Sequence, residues 1–192
     1  MAEKSLVAAA PAVAPAAKDE VDEGSVSVKV AVRVRPLSAA ERSQGCRECL
    51  RLNEGEAIVD AGGDRRFGYD YAYGTGSAQS NIYEQTTVPL LNRVLDGFNA
   101  TILAYGQTGS GKTHSMQGSG HDQMRGIIPR AVEQVGQTKI KLMDQGWLFE
   151  MKVQYVEIYN EVVRELLTKD VKDLRILRDG YGMTEIEGVT LI

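Results

Sequence analysis

Two cysteines, two histidines and one tryptophan among 192 residues leave little room for several kinds of chemistry. Cys46 and Cys49 form a Cys-x-x-Cys pair, but no second pair exists to complete a zinc site. His114 and His121 are remote in sequence and wrongly spaced for a finger. A redox motif of this kind opens a helix after a strand, whereas here strand-like Leu50-Arg51-Leu52 follows directly. The pair therefore reads as two ordinary reduced thiols, which suits a cytoplasmic protein. No apolar run reaches the eighteen or so residues that cross a bilayer, so no membrane partner is expected. A basic excess is missing too: the formal net charge is −4, so nucleic acid is not the default partner.

What is present is an ordinary globular composition, 43% hydrophobic and 25% charged, enough for one domain with a core. Residues 1–24 stand apart. They are Ala/Pro-rich and then acidic, with Pro11 and Pro15 interrupting the only stretch that could pass for a signal peptide. The reading is a disordered leader over 1–24 and a folded region over 25–192.

Ser25 to Val34 alternates valines with small or polar residues, the period of a strand, and Arg35-Pro36 ends it. Short strands are predicted within 49–59 and 66–72. A helix is predicted from Asn81 to Phe98, with Asn81 and Glu84 in a capping arrangement. Its apolar face would be Leu91, Val94, Leu95 and Phe98, Pro89 would kink or restart it, and Gly97 lies near its end. Thr101 to Tyr105 reads as a buried strand, 117–125 as an exposed loop, and Gly126 to about Met143 as a helix stopped by Gln145-Gly146. Trp147 to Tyr159 is a long strand candidate and Glu161 to Leu167 a short helix. Leu174–Leu177 and Met183–Ile192 read as strands joined across Asp179-Gly180-Tyr181-Gly182. Strands alternating with helices predict an α/β fold with a central mixed sheet flanked by helices.

The sharpest motif is Gly106-Gln107-Thr108-Gly109-Ser110-Gly111-Lys112-Thr113, which fits the phosphate-loop pattern. Glycines at 106, 109 and 111 allow backbone angles and close approach that a β-carbon would block. Successive N–H groups can then curl around an anion, with a helix N-terminus behind them. Lys112 would reach the β- and γ-phosphates, and the Thr113 hydroxyl would join the Mg²⁺ shell. The alternative is a flexible Gly/Ser loop with a surface lysine, which the strand-like run in front disfavours.

Several segments together resemble the kinesin motor domain: Val30-Ala31-Val32-Arg33-Val34-Arg35-Pro36-Leu37, Asn99 through Thr113 with its Ala-Tyr-Gly-Gln-Thr lead-in, Gly126-Ile127-Ile128-Pro129-Arg130, and Tyr155-Val156-Glu157-Ile158-Tyr159-Asn160-Glu161. They stand in that family's order, over roughly Val26 to Ile192, and Gly45-Cys46-Arg47-Glu48-Cys49-Leu50 is similar to its chromokinesin-type branch. The resemblance implies a phosphate-loop NTPase fold of the kinesin motor type, truncated, and microtubule-stimulated hydrolysis of ATP with Mg²⁺. It implies association with microtubules and the cytoskeleton. It places Arg33, Arg35 and Pro36 around the adenine, with His114 on the same side. Taken alone, the arginines read equally as strand-end solvation or a salt bridge, and His114 as a surface residue. Lys169, Lys172, Arg175 and Arg178 fall where that family lies near tubulin; with Asp170, Asp173 and Asp179 between them they read also as a mixed-charge solvated face.

Two strings that the family uses to sense the γ-phosphate and place water, Asn-x-x-Ser-Ser-Arg and Asp-Leu-Ala-Gly, do not occur in these residues. The expectation is a chain that binds nucleotide without appreciable turnover by itself. It is either the N-terminal part of an ATP-driven motor or a non-hydrolysing interaction module associated with microtubules.

Overall fold

The computed structural model describes residues 28–120, 122–168, 173–178, 180 and 184–192. The leader over 1–24, His121, Lys169, Asp170, Lys172 and Asp179 lie outside these residues. The chain divides into two compact units, one ending at Ile140 and the other covering Lys141–Ile192.

In the first unit the strand predicted over 25–34 contracts to β1 (Ala31–Arg33), which holds Val32 of the alternating valines; residues 25–27 lie outside the described residues. Pro36 is followed by a short helix, α1 (Ala39–Ser43), whose Ser38 and Glu41 form a reciprocal capping box. β2 (Arg51–Asn53), β3 (Ile58–Asp60) and β4 (Arg66–Gly68) make an antiparallel three-stranded sheet. β5 (Tyr71–Tyr73) pairs in parallel with β1, in the register Ala31↔Tyr71 and Arg33↔Tyr73.

The predicted helix over 81–98 is present but starts earlier and is built in three pieces. α2 (Gln79–Ile82) begins at Ala78, which makes no side-chain capping bond, so Asn81 and Glu84 are not the cap. One π-helical segment, Tyr83–Thr87, leads into α3 (Val88–Leu95) with Pro89 in its first turn. The cause is local. Pro89 has no N–H to give to the preceding turn, and its ring crowds the carbonyl there, so the backbone widens before it and restarts. Gly97 ends α3 at φ +96°, with Gly97 N–H on the Val94 carbonyl and Phe98 N–H on the Arg93 carbonyl, both 3.0 Å. That is a left-handed glycine cap with both bonds made.

The predicted apolar face of this helix is not the buried one. Val94, Leu95 and Phe98 are exposed, whereas Ile82, Tyr83 and Thr87 are buried together with Val59, Ala72 and Tyr73. The π segment rotates the later residues away from the face that α2 buries.

The largest departure is at 101–105. It carries a strand's composition, yet no described residue pairs with it as a ladder, and Leu103 and Tyr105 are 83% and 95% exposed. A strand is completed by its neighbour's hydrogen bonds, and the apolar run alone does not supply them. For the same reason helix and sheet are mixed as expected, but the single central sheet is not formed among the described residues; the strands fall into separate ladders.

α4 (Lys112–Met116) follows, and α5 (Ile127–Asp144) carries Pro129 in its first turn as predicted. The loop between them is largely exposed and is pinned by a bridge between Gly118 and Arg125. Gly146, at φ +86°, stops α5 with the same two-bond cap as Gly97.

The second unit is an antiparallel four-stranded sheet of β6 (Val156–Tyr159), β7 (Val162–Glu165), β8 (Asp173–Arg178) and β9 (Thr184–Glu187), in that order. The long strand predicted from Trp147 contracts to β6. Residues 147–155 are in no strand, although Val153 and Ile192 exchange two backbone bonds. The helix predicted over 161–167 is instead β7. Asn160 and Glu161 both hold positive φ, 49° and 63°, and turn the chain back so that Tyr159 faces Val162. Helix-favouring Glu, Arg and Leu there are overridden by pairing of Val162 and Val163. β8 and β9 pair antiparallel as predicted, but β9 is shorter than the expected 183–192, and residues 179 and 181–183 between them lie outside the described residues.

Gly97→Ala should lower the urea midpoint at an unchanged slope, at a cost of about 1 kcal/mol for the left-handed conformation. A midpoint equal to that of the parent chain would show that the cap contributes nothing.

Candidate functional site

After Tyr105 the chain turns sharply. Gly106, Gly109 and Gly111 hold φ of 153°, 79° and 102°, all in the region that glycine tolerates best. A Cβ on Gly106 would stand 2.5 Å from the Ser110 hydroxyl and 3.1 Å from the Ser110 Cβ, so a side chain there would have to displace Ser110. Ser110 N–H closes the turn on the Gln107 carbonyl at 3.1 Å. Gly111 caps α4, whose first-turn N–H groups have no partner within the helix. The expected helix behind the loop is only five residues long, so those amides and Lys112, more than a macrodipole, supply positive potential. Lys112 Nζ donates to the carbonyls of Gly106 at 2.7 Å and Gln107 at 2.9 Å.

The arginines expected beside the base sit in different surroundings. Arg33, at the end of β1, donates from one Nη1 to Gln79 Oε1 at 2.8 Å and Ser115 Oγ at 2.9 Å. Burial lowers its pKa. Arg35 makes a two-pronged pair with Glu41, at 2.7 and 2.6 Å, so its salt-bridge reading holds. The Arg35 guanidinium, with the Ser38 N–H behind it, depresses the Glu41 carboxyl from 4.5 to about 2. His114 lies in α4, its pKa lowered by partial burial and then by Arg33.

A cavity of about 490 Å³ joins these groups. Of the residues expected to hold nucleotide, Arg33, Arg35, Ser110, Gly111, Lys112 and His114 line it. Pro36, Gly106, Gln107, Thr108, Gly109 and Thr113 do not; Thr113, the expected metal ligand, is exposed beside Lys112. Alternation along β1 and the residues just after it brings Ala31, Arg33 and Arg35 to the wall, with Tyr71 and Tyr73 from the adjoining strand. The chemistry of this wall suits a ligand with an apolar plate and an anionic tail, and the volume falls in the range of small-molecule sites, about 300–1,000 Å³. For Mg²⁺ the fit is partial. Thr113 offers one oxygen, and no group of three His, Cys, Asp or Glu residues stands together among the described residues. That suits an ion that keeps most of its waters and binds mainly through phosphate.

Several residues of the site escaped the sequence reading, Tyr71 and Tyr73 on the wall among them. Gln79 and Ser115 carry no motif; only the spacing of Ser115, four residues after Gly111, places it on the first turns of α4. Of the basic residues expected near tubulin, Lys169 and Lys172 lie outside the described residues, while Arg175 and Arg178 are exposed on β8. Arg175 stands opposite Glu187 of β9, and Glu185 is opposite Leu177, which favours the mixed-charge face. Among the described residues no helix is long and apolar enough to cross a membrane.

The family model for the kinesin motor domain matches residues 33–192. Among curated proteins, the chain is 43% identical over 151 residues to chromosome-associated kinesin KIF4 of Gallus gallus, covering 76% of this chain and 12% of that protein. It is 41% identical over 181 residues to KIF4 of Mus musculus, covering 90% and 14%. Kinesin-like protein KIN-4A of Arabidopsis thaliana is 43% identical over 143 residues, covering 73% and 14%. The chain thus spans 12 to 14% of the length of these relatives.

Glu41 gives a pH signature. Its folded pKa is depressed, so the pair's contribution is complete above about pH 4.5 and is lost as pH falls through about 2. Stability measured by denaturant should fall across that window, and Glu41→Gln should flatten the fall. An identical acid slope in the variant would show that the Arg35–Glu41 pair is energetically silent.

Proposed function

This chain belongs to the kinesin motor-domain family, and from that premise we propose that it binds ATP with Mg²⁺ through its phosphate loop, as the N-terminal part of an ATP-dependent microtubule motor. The observation that carries the reading is the shared cavity, which holds Ser110, Gly111 and Lys112 together with Arg33, Arg35 and His114. The phosphates would lie against the amides of Gly109 to Thr113, and Lys112 would leave the Gly106 and Gln107 carbonyls for the β- and γ-oxygens. That exchange replaces two bonds to neutral oxygens by bonds to charged ones, so ligand binding releases the lysine from the loop that holds it.

Arg33 would face the base with its guanidinium plane, because its partners are neutral and leave its charge uncompensated. Arg35 is already neutralised by Glu41 and would act through apolar contact with Pro36 nearby. Thr113 would hold Mg²⁺, which when bound neutralises the charge that spreads over the transferring phosphoryl group. Hydrolysis further needs a positioned water. The γ-sensing strings expected for that do not occur in these 192 residues, so binding without turnover is proposed for the chain alone. Microtubules are the proposed partner and the cytoskeleton the proposed location, on the family membership.

A fluorescent ATP analogue should bind in the presence of Mg²⁺, and Lys112→Ala should weaken it by about a hundredfold, the loss of a charge-assisted contact to phosphate. Phosphate release in the presence of microtubules should not exceed that of the Lys112→Ala chain. Absence of Mg²⁺-dependent binding by the parent chain would overturn the reading, and stimulated release would overturn its no-turnover clause.

A further inference from the structure

Gln79 is the first residue of α2 and is only 5% exposed. Its carboxamide bonds three separate segments. Oε1 accepts from Arg33 Nη1 at 2.8 Å, while Nε2 donates to the His114 carbonyl at 2.6 Å and the Met124 carbonyl at 3.3 Å. The same Nε2 lies 3.5 Å from His114 Nε2. An amide offers one acceptor face and two donors, and here all are used in a single orientation. Carboxylate, hydroxyl or alkyl side chains cannot reproduce that set.

Two of the three bonded residues, Arg33 and His114, line the cavity beside Lys112; Gln79 itself does not. It can therefore reach a ligand only through them. We propose that Gln79 is a positioning residue, locking the Arg33 guanidinium to the backbone at His114 so that β1 and α4 present one fixed surface to a nucleoside base. This rests on the nucleotide reading above. The phosphate loop depends less on such help, because its turn is closed by the Ser110 N–H on the Gln107 carbonyl, a bond that remains when Lys112 turns to phosphate. Gln79 should thus govern the nucleoside contribution to binding and leave the phosphate contribution alone.

Mg-ATP and Mg-tripolyphosphate separate the two contributions. Their dissociation constants are measured by calorimetry on the full chain, its Gln79→Leu variant and its Gln79→Glu variant, with far-UV circular dichroism to monitor folding. The parent should bind Mg-ATP more tightly than Mg-tripolyphosphate. Gln79→Leu should shrink that ratio by about tenfold, through weaker ATP binding, as expected for losing a hydrogen bond to a charged group. Gln79→Glu should retain part of the ratio, because its carboxylate still accepts from Arg33 while facing two carbonyls without a donor. Equal weakening of both ligands would show a purely structural role and overturn the proposal, and an unchanged ratio would overturn it as well. Should Gln79→Leu fail to fold, Gln79→Glu decides on the same criterion. A parent chain that binds neither ligand, or shows no preference for ATP, sinks the nucleotide reading itself, and is told apart because no variant is needed to see it.

Discussion

The bond from Lys112 to the Gly106 carbonyl is the constraint on which the site depends. It ties the first residue of α4 to the first of the loop, and it exists only because Gly106 and Gly111 take angles that bring those ends together. The loop therefore holds its own curvature. A ligand does not have to order it, which spares the conformational cost that would otherwise subtract from affinity. What a phosphate must do is compete with two carbonyls for one ammonium. Bonds from the ammonium to charged phosphate oxygens outweigh those to neutral carbonyls, so the exchange favours the phosphate. The larger part of the affinity would come from amides at the start of α4 and from groups elsewhere on the cavity wall.

Those groups are set by the two-residue repeat of β1. Arg33 and Arg35 point to the same side, but their partners divide them. Glu41 cancels the charge of Arg35, and as the N3 residue of a capping box it is itself fixed by Ser38. Arg33 is held by an amide and a hydroxyl, neither of which carries charge. Geometry is thus supplied to both arginines and free charge to only one. The two-pronged pair, its side chains about one-third exposed, contributes only modestly to stability.

The sequence made the locally determined features readable. Gly97 and Gly146 end their helices because each can be left-handed, and Pro89 breaks the helix where its missing N–H says it must. The glycines of 106–111 announce the loop because each holds a positive φ that other residues rarely adopt. Features that depend on a distant partner were read less well. Thr101 to Tyr105 has a strand's residues and no ladder, and Glu161 to Leu167 has a helix's residues but meets a neighbouring strand. Asn160 was the readable sign of that hairpin, and Glu161 beside it, rarely left-handed, concealed it. Gln79 belongs to a third kind. Its role comes from three segments spread from residue 33 to residue 124, and nothing within a short window could have disclosed it.

The loop's support consequently comes from one direction. In front of it lies an extended segment whose Leu103 and Tyr105 face solvent, so little fixes the backbone there. Behind it, Ser115 and the His114 carbonyl are bound to Arg33 and Gln79, and the Gly126 N–H bonds the Gln117 carbonyl at 2.9 Å. A Cβ on Gly126 would meet the Met116 carbonyl at 2.5 Å, which makes the end of α4 and the start of α5 close-fitting. A displacement of the loop on binding phosphate would accordingly be resisted at its helix end and yield at its strand-like end. Within this unit the hydrogen bonds behind the loop run from α4 to β1 through Ser115 and to α2 through the His114 carbonyl.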